Sequence, residues 1–267
     1  MAVTTPKKFA IQQVFEILLR KPADESIVAY LTDTKTSGLE NTMEMVYPTG
    51  ARGNVYIGGG FGHSKRAKLN VSVATWNTEV MALQNGTIID TGANKVNYYD
   101  TIVVGADEKV ATKFKAEGIE GGELGFIYKL AADGTIAETY TQGTDVEEGI
   151  FVYDAETKEV TFADTNKPVE GDYFACSYAF IPAASQKMSI SGTKIPETVL
   201  VDAYGLAKDI CTGDLFPCVI SGQAQVDGNW NFDVSADGEP AEQSLALEFV
   251  KGCLTDELYT FTIFTEE

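Results

Sequence analysis

Histidine, the most common general base of enzymes, occurs once in this chain, at His63. It follows the glycine-rich residues 58–62 and precedes Ser64 and Lys65. A nucleophilic triad would need this histidine as its base, held on a rigid support. A glycine-rich segment is expected to be mobile instead. We therefore expect His63 to face solvent or an interface, and we expect no catalytic residue in this chain.

The same glycine-rich segment has the composition of a phosphate-binding loop. Such a loop places a Lys before its Ser or Thr and leads into the N-terminus of a helix. Here Ser64 precedes Lys65. The residues that follow alternate between apolar and polar, with Leu69, Val71 and Val73 on one face, and this predicts a strand. We therefore expect a hairpin tip or a β-bend at this segment, and no bound cofactor.

Metal binding has little support in the residue pattern. The four cysteines, Cys176, Cys211, Cys218 and Cys253, form no CxxC pair and are widely separated. A zinc site would need all of them, so we expect no metal site and interpret them as buried free thiols. Free thiols are typical of proteins made in a reducing compartment. The many carboxylates show neither calcium-loop spacing nor a recognisable glycosidase context.

The chain is strongly acidic, with 39 Asp and Glu against 20 Lys and Arg and a formal net charge of −19. Proteins that bind nucleic acid use Lys and Arg to displace the counterions of the phosphates. The composition therefore argues against a nucleic-acid-binding protein. A negative wall would, however, repel DNA and let it slide past. The same charge is also explained by solubility alone.

Basic groups are scarce, yet several surround the glycine-rich segment. They are Arg52, His63, Lys65 and Arg66. A basic group in an acidic chain finds complementary charge on an acidic partner surface. We therefore predict that these four residues contact a neighbouring subunit.

The composition also indicates the fold class. Thr, Val, Tyr and Phe are common and glycine occurs 25 times, a mixture that favours strands joined by tight turns. Residues 126–130 and 136–140 flank Asp133-Gly134 and predict one hairpin, and residues 149–154 and 158–162 predict another.

Other segments show different patterns. Thr75 is predicted to cap a short helix that ends near Gln84, with an apolar face of Trp76, Val80 and Leu83. Residues 34–41 are polar and contain glycine, which predicts a loop. Residues 9–20 fit either a short helix or an extended arm.

We therefore predict a mainly β protein, a β-sandwich or barrel with a short flanking helix and an inserted β-rich module. The main domain is assigned to residues 1–105 and 171–267, and residues 106–170 to an inserted or extended β module. The first ten residues lack the apolar core of a signal peptide, and no apolar run is long enough to cross a bilayer. We expect the protein to be synthesised in a cytosol and to have no membrane partner.

Two parts of the chain carry short, turn-rich motifs in a recognisable order. The first part contains Arg52-Gly53-Asn54, residues 62–65 and 67–69, and the helix-like residues 76–84 before Gly86. The second contains Gly171-Asp172, Gly213-Asp214, Trp230-Asn231-Phe232, Gly238-Glu239-Pro240 and the apolar residues 245–249. Together they cover somewhat over half of the chain. Their succession resembles structural proteins of tailed bacteriophages, most closely the major tail (tail tube) proteins.

This resemblance implies a virion structural protein without catalytic residues or cofactors. Tail tube proteins are β-sandwich or barrel subunits that form homohexameric rings, and the rings stack into a tube that conducts DNA during ejection. The resemblance thus implies self-association, contacts with other virion proteins, a place in the virion tail after synthesis in the host cytoplasm, and DNA that passes without specific binding. Acidic groups facing the lumen would keep that DNA mobile.

Two other interpretations stay open. Residues 106–170 do not match the resemblance, which leaves a capsid decoration or capsid protein as an alternative. The aromatic residues Trp76, Trp230 and Phe232 are most simply core residues, but they would also suit a carbohydrate- or surface-binding β module. An enzyme that relies on carboxylate chemistry is disfavoured.

Overall fold

The computed structural model describes residues 5–47, 61–118, 123–232, 234, 236, 238, 240–252 and 256–265. Within these residues about half of the chain lies in strands and little of it is helical, so the mainly β prediction is confirmed. In chain order the strands are β1 (Phe9–Ile11), β2 (Glu16–Arg20), β3 (Ile27–Leu31), β4 (Thr34–Val46), β5 (Phe61–Val73), β6 (Ile89–Gly92), β7 (Val96–Val103), β8 (Val110–Ala111), β9 (Phe126–Leu130), β10 (Ile136–Gln142), β11 (Ile150–Asp154), β12 (Glu159–Thr161), β13 (Tyr173–Phe180), β14 (Ser185–Met188), β15 (Thr198–Asp209), β16 (Leu215–Val226), β17 (Gln243–Phe249) and β18 (Tyr259–Ile263). The helices are α1 (Thr78–Gln84) and a 3-10 turn at Asp164–Asn166.

The chain divides into two compact units. Unit 1 comprises Met1–Ile89 and Met188–Glu267, and unit 2 comprises Asp90–Lys187. Strands β7 and β13, which the sequence analysis assigned to the main domain, pair with each other over eight residues each and belong to unit 2. The two compact units therefore divide at 89/90 and 187/188, because this long pairing holds both flanking strands in the second sheet. The domain assignment made from the sequence, with residues 106–170 as an inserted or extended module, stays a prediction.

Unit 1 is a nine-stranded, nearly closed barrel-like sheet. Its main path runs β3-β2-β15-β16-β17-β5-β4, while β1 pairs with β15 and β18 pairs with β16. The strands β2, β5, β15, β16 and β17 place alternate apolar side chains inward, as period-two alternation requires. The largest fully buried members of this core are Ile17, Leu19, Leu69, Ile220, Leu245 and Leu247. The alternation predicted for residues 67–74 is confirmed, because Leu69, Val71 and Val73 are all buried.

A short helix, α1, packs on the barrel through Val80 and Leu83, which are buried in the unit 1 core. The cap of this helix is Asn77, not Thr75 as the sequence suggested: its side-chain oxygen accepts the N–H groups of Glu79 and Val80 at 2.9 and 3.2 Å. Trp76 therefore lies before the helix. Asn is a more favourable N-cap residue than Thr, and so the helix begins after Asn77, later than predicted.

Buried amides fix α1 against β17. Gln84 donates from Nε2 to the carbonyl of Ser244 at 2.9 Å, and Gln243 donates to Gln84 Oε1 at 3.3 Å. The carbonyl oxygen of the Gln243 side chain accepts the backbone N–H of Asn77 at 2.8 Å. Since both glutamines are almost fully buried, these bonds satisfy polar groups that would otherwise destabilise the fold.

Unit 2 contains a seven-stranded sheet in the order β7-β13-β9-β10-β11-β12-β8. Both hairpins predicted from the sequence are present, as β9–β10 and β11–β12. Its core is separate from that of unit 1 and includes Phe151, Phe174, Cys176 and Tyr178. Strands β6 and β14 pair in a further two-stranded sheet.

One further segment differs from the sequence prediction, and another decides between the two structures that the sequence allowed. Residues 34–41, predicted as a loop, form the first half of β4 and pair with β5. The segment is half-exposed along an edge of the sheet, so its polar side chains do not conflict with strand pairing. Residues 9–20, which fitted a helix or an extended arm, form the strands β1 and β2.

Candidate assembly surface

The β4–β5 hairpin extends beyond the rest of the unit 1 sheet. Strand β17 pairs with β5 only as far as Lys68, whereas β4 and β5 continue to pair out to Val46 and Phe61. We call the extension, residues 42–47 and 61–66, the arm. All of its side chains that the structure describes are exposed. A two-stranded hairpin is marginally stable in water by itself, so the arm would gain stability from a covering surface.

One face of the arm is apolar. Met43 and Met45 follow Leu39 on the side of β4 that faces the core, and so they continue that apolar side outward. A Cβ atom at Gly62 would lie 2.8 Å from the sulfur of Met43 and 3.2 Å from that of Met45, which shows that both thioethers lie across this glycine. On this face Met43 and Met45 are 53% and 40% exposed.

The opposite face of the arm is charged. His63 lies opposite Glu44, with 3.5 Å between Nδ1 and the carboxylate, and Arg66 lies opposite Thr42. His63 also contacts the hydroxyl of Ser64 at 2.9 Å. The arm is thus amphipathic across its two faces, in the way a strand pair is when one side binds a partner.

The basic residues singled out in the sequence reach different surroundings. The structure brings His63, Lys65 and Arg66 together on one strand of the arm, while Arg52 lies outside the described residues. Lys65 lines a shallow cavity with residues of the C-terminal segment, among them Asp256 and Tyr259. Contact of these residues with a neighbouring subunit stays a prediction.

Of the glycine-rich residues 58–62, residues 58–60 lie outside the described residues, and residues 61 and 62 belong to β5. A β-bulge interrupts it, because Thr42 pairs with Arg66 but Glu44 pairs with His63, so two residues of β5 stand opposite Met43. One of them, Ser64, has a φ of 55°. Bulges re-aim side chains and increase the local twist, which is how Lys65 comes to point toward the C-terminal segment.

A second apolar surface lies where β1 and β18 flank the barrel. The rings of Phe9 and Phe261 stack at 5.8 Å between centroids. With Ile11, Leu39 and Ile220 they line a groove of about 430 Å³. We call this the groove. Leu39 lines the groove and lies on the same strand as Met43 and Met45 of the arm. The two apolar surfaces are therefore neighbours along one side of unit 1.

An ion pair holds the base of the arm. Lys68, the last residue of β5 that β17 pairs with, donates to the carboxylate of Asp227 at 3.0 Å. The backbone N–H of Asn229 donates to the same carboxylate at 3.0 Å. These hydrogen bonds, that of Asn229 first and that of Lys68 next, hold the pKa of Asp227 below its usual value.

We expect a pH-dependent contribution from this carboxylate. Its pKa is lower in the folded chain than in the unfolded chain, so it stabilises the fold above about pH 4 and that stabilisation is lost as the pH falls through the folded pKa. Asp227→Asn should be slightly less stable than wild type at pH 6, by under about 1 kcal/mol because the pair is partly exposed. Urea unfolding at pH 6 and pH 3 measures this, and a stability gap that does not shrink at pH 3 would contradict it.

The described residues include no cluster of three or more His, Cys, Asp or Glu that could hold a metal ion. Cys176 and Cys218 are buried and free, as the sequence predicted. The prediction of a buried thiol is wrong for Cys211, which is exposed because it lies in the turn between β15 and β16, and Cys253 lies outside the described residues. Burial raises the pKa of Cys176 to about 12, so this thiol stays protonated at neutral pH. In the part of the chain that the structure describes, no helix is long and apolar enough to span a membrane.

The aromatic residues considered as a sugar platform pack against one another. Trp76 meets Trp230 edge-on at 5.8 Å and Phe232 at 4.8 Å between ring centroids. The indole N–H of Trp76 donates to the carbonyl of Ala241 at 2.9 Å. Edge-on packing of this kind stabilises the contact of Trp76 with Trp230 and Phe232, and these three rings form no coplanar row.

These features define a class of protein: a mainly β structural protein with exposed apolar surfaces of the kind that assembly subunits carry. The chain belongs to the YomU/Tube protein family, whose family model matches residues 9–260. The family name indicates a phage-type structural tube protein, a component of the virion. No curated protein matches the chain.

Proposed function

We propose that this chain is a tail tube subunit of a tailed bacteriophage, and that it forms stacked rings through which DNA passes. The observation that carries the proposal is the arm, an exposed amphipathic hairpin in a member of a tube family. Subunits that assemble expose apolar surface in the free state and bury it against the next copy.

The dimensions of the arm suit contact between copies. From Glu40, which lies opposite Lys68, to Val46, strand β4 extends by about 20 Å, at about 3.3 Å per residue, past the last point where β17 supports β5. Methionine side chains are flexible and adapt to an uneven apolar partner surface. The arm therefore reaches a neighbour without rearrangement of the barrel.

The groove is the matching apolar surface on unit 1. A contact in which one patch of a subunit binds a different patch of the next is heterologous, and it generates a closed ring or an open stack. An arm that docks on the groove of another copy is a contact of this kind. Both surfaces remain exposed in the single chain, and each would lose apolar area to water on docking.

The charge balance is consistent with DNA that passes without being retained. Unit 1 contains 21 acidic and 12 basic residues. Part of its basic charge is already paired within the unit, for example Arg20 with Asp202 at 2.7 Å and Lys68 with Asp227 at 3.0 Å. Few cations are left to displace counterions from DNA, so phosphates are repelled at most surfaces.

Negative-stain electron microscopy of the purified chain tests the proposal. We expect tubes or six-fold rings, and we expect them not to retain duplex DNA in a filter-binding assay at low salt. Trimers or shell-like contacts would favour a capsid or capsid decoration protein. A chain that stays monomeric at high concentration and binds glycans would contradict the proposal.

A further inference from the structure

The outward face of the unit 2 sheet combines aromatic rings with neutral hydrogen-bonding groups. We use this name for the side of β7, β13, β9 and β10 that faces away from the unit 2 core. Its residues are Asn97, Tyr99, Thr101, Val103, Phe126, Tyr128, Leu130, Ile136, Thr139, Thr141, Tyr173, Ala175 and Ser177. None of them is charged, although unit 2 as a whole contains 18 Asp and Glu against 8 Lys.

Four aromatic rings lie on this face, and the strand register places them near one another. Tyr173 and Tyr128 are diagonal neighbours on adjacent strands, because Ala175 pairs with Tyr128, and such neighbours are about 7–8 Å apart. Phe126 lies two residues from Tyr128 on β9, about 7 Å away. The fourth ring, that of Tyr99, lies on β7, on the other side of β13 from β9. Since Tyr99, Phe126 and Tyr173 are 47–63% exposed, much of each ring is open to a ligand.

These four rings differ from other aromatic side chains of unit 2, which pack on one another. Phe114, for example, stacks on Phe180 at 4.2 Å and meets Tyr98 at 5.0 Å between ring centroids. In the part of the chain that the structure describes, no ring of the outward face takes part in such a pair. The rings of the outward face therefore keep their apolar surfaces for contact with another molecule.

The polar groups of the outward face are also free. Five of its side chains carry a hydroxyl or an amide: Asn97, Thr101, Thr139, Thr141 and Ser177. Within the described residues none of the five side chains forms a hydrogen bond, and the same is true of the three tyrosine hydroxyls of this face. Elsewhere in unit 2, the hydroxyls of the buried Tyr153 and Tyr178 bond to protein groups. The outward face thus presents neutral donors and acceptors to a ligand.

These properties restrict the class of ligand. The acidic surroundings repel nucleic acids and other anionic polymers, and a basic partner finds its complement on the acidic surfaces outside this face. A small molecule is usually held in a concave pocket, whereas the face of a four-stranded sheet is open. A protein contact would bury the free hydroxyl and amide groups, and each would then need a partner. A neutral polysaccharide fits, because its sugar rings combine apolar C–H surfaces, which pack on aromatic rings, with many hydroxyls that donate and accept hydrogen bonds.

We propose that the outward face of unit 2 binds a neutral polysaccharide. The rings of Tyr173, Tyr128 and Phe126 follow a line of about 14 Å across β13 and β9. A chain of several sugars lies along this line, with Tyr99 on one side and the threonines of β10 on the other. An open face makes few contacts, so binding is weak for a single chain and stronger wherever an assembly presents many copies. The inference concerns unit 2 alone and does not depend on the formation of a tube.

Isothermal titration calorimetry on the full chain tests the proposal. The neutral probes are cellohexaose, chitohexaose and mannohexaose, and hexagalacturonic acid is the anionic probe. We expect at least one neutral probe to bind saturably, and the anionic probe to bind at least tenfold more weakly than that probe because unit 2 repels it. If no neutral probe binds at millimolar concentration, or if the anionic probe binds as well as the neutral ones, the proposal is overturned.

Removal of single rings locates the binding on this face. Tyr173→Ala and Phe126→Ala should each weaken binding about tenfold, because each removes one ring of the line. Tyr173→Phe keeps the ring and should lose less affinity than Tyr173→Ala. The matched control is Tyr204→Ala on β15 of unit 1, where the tyrosine is 41% exposed against 47% for Tyr173, and it should bind like wild type. Circular dichroism shows whether each variant keeps its fold.

The variants also separate this proposal from other outcomes. Wild-type affinity in both alanine variants of the face, or an equal loss in Tyr204→Ala, would overturn it. Alanine variants that stop assembling but bind the sugar as before would assign the face to a protein contact and overturn it as well. Sugar binding by a chain that forms no tubes would support this proposal and count against the proposed function alone, and tubes that bind no sugar would do the reverse.

Discussion

A chain that carries Met43→Asp and Met45→Asp is expected to fold normally and to remain unassembled. Both side chains lie on the exposed apolar face of the arm, outside the buried core of unit 1. In the single chain the new carboxylates stay hydrated, so the stability should change by no more than about 0.5 kcal/mol. In an assembly they would be taken out of water without a partner, which costs several kcal/mol for each. Since about 1.4 kcal/mol is a factor of ten, the critical concentration should rise at least 100-fold.

Sedimentation velocity and negative-stain microscopy measure this prediction, and circular dichroism shows whether the fold is retained. Met43→Leu with Met45→Leu is the matched control, because it keeps the apolar face and should assemble like wild type. Glu44→Gln changes the opposite face of the same strand and should have a much smaller effect than the two aspartates. Wild-type assembly by the aspartate variant would remove the arm from the assembly contact.

Much of the barrel could be predicted from the sequence because its strands alternate. Leu69, Val71 and Val73 follow one another at period two, and all three are buried. Segments without such alternation were predicted less well. Residues 34–41 were assigned to a loop, yet they form an edge strand, where pairing with β5 replaces the need for a buried face. The pairing with β5 determines the structure of residues 34–41, and the local sequence pattern does not show that pairing.

The candidate surfaces were only partly predictable. The basic residues His63, Lys65 and Arg66 drew attention through their scarcity, and the structure places them on one strand. The apolar face of the arm was missed, because Met43 and Met45 alternate in the same way whether a core or solvent lies beside them. Whether core or solvent lies beside the two methionines depends on where β17 stops pairing with β5. That point is set by the register of two strands and cannot be read from the sequence of either strand alone.

The outward side of the unit 2 sheet, where Tyr99, Val103, Phe126, Ile136 and Tyr173 are exposed, was not predicted for a related reason. Its residues come from β7, β9, β10 and β13, of which only β9 and β10 are neighbours in the sequence. Only the pairing of Tyr173 with both Val103 and Leu130 shows that their apolar side chains form one surface. A search of a sequence for charge segregation therefore succeeds only after the strand order is known.

Removal of one buried hydroxyl, in Tyr178→Phe, is expected to destabilise unit 2 and leave unit 1 unchanged. Tyr178 is fully buried, donates from its hydroxyl to the carboxylate of Asp100 at 3.0 Å, and accepts the backbone N–H of Phe114 at 3.0 Å. The backbone N–H of Lys113 donates to the same carboxylate oxygen at 2.8 Å. Burial is the main reason that the pKa of Tyr178 is raised, so the hydroxyl keeps its proton and acts as this donor at any ordinary pH.

The substitution leaves the Phe114 N–H without this acceptor and the buried carboxylate with one donor fewer. Unsatisfied buried polar groups cost about 1–3 kcal/mol, so calorimetry on the unassembled Met43→Asp/Met45→Asp background should show one transition lowered by about 4–8 °C per kcal/mol. The second transition should stay in place, because the two units have separate cores. Ser244→Ala, which keeps the carbonyl that Gln84 binds in unit 1, is a control that should move neither transition. A single transition that shifts as a whole would contradict the prediction, because it would mean that the two units unfold together. In that case hydrogen exchange should show that Tyr178→Phe reduces protection equally in β13 and β17.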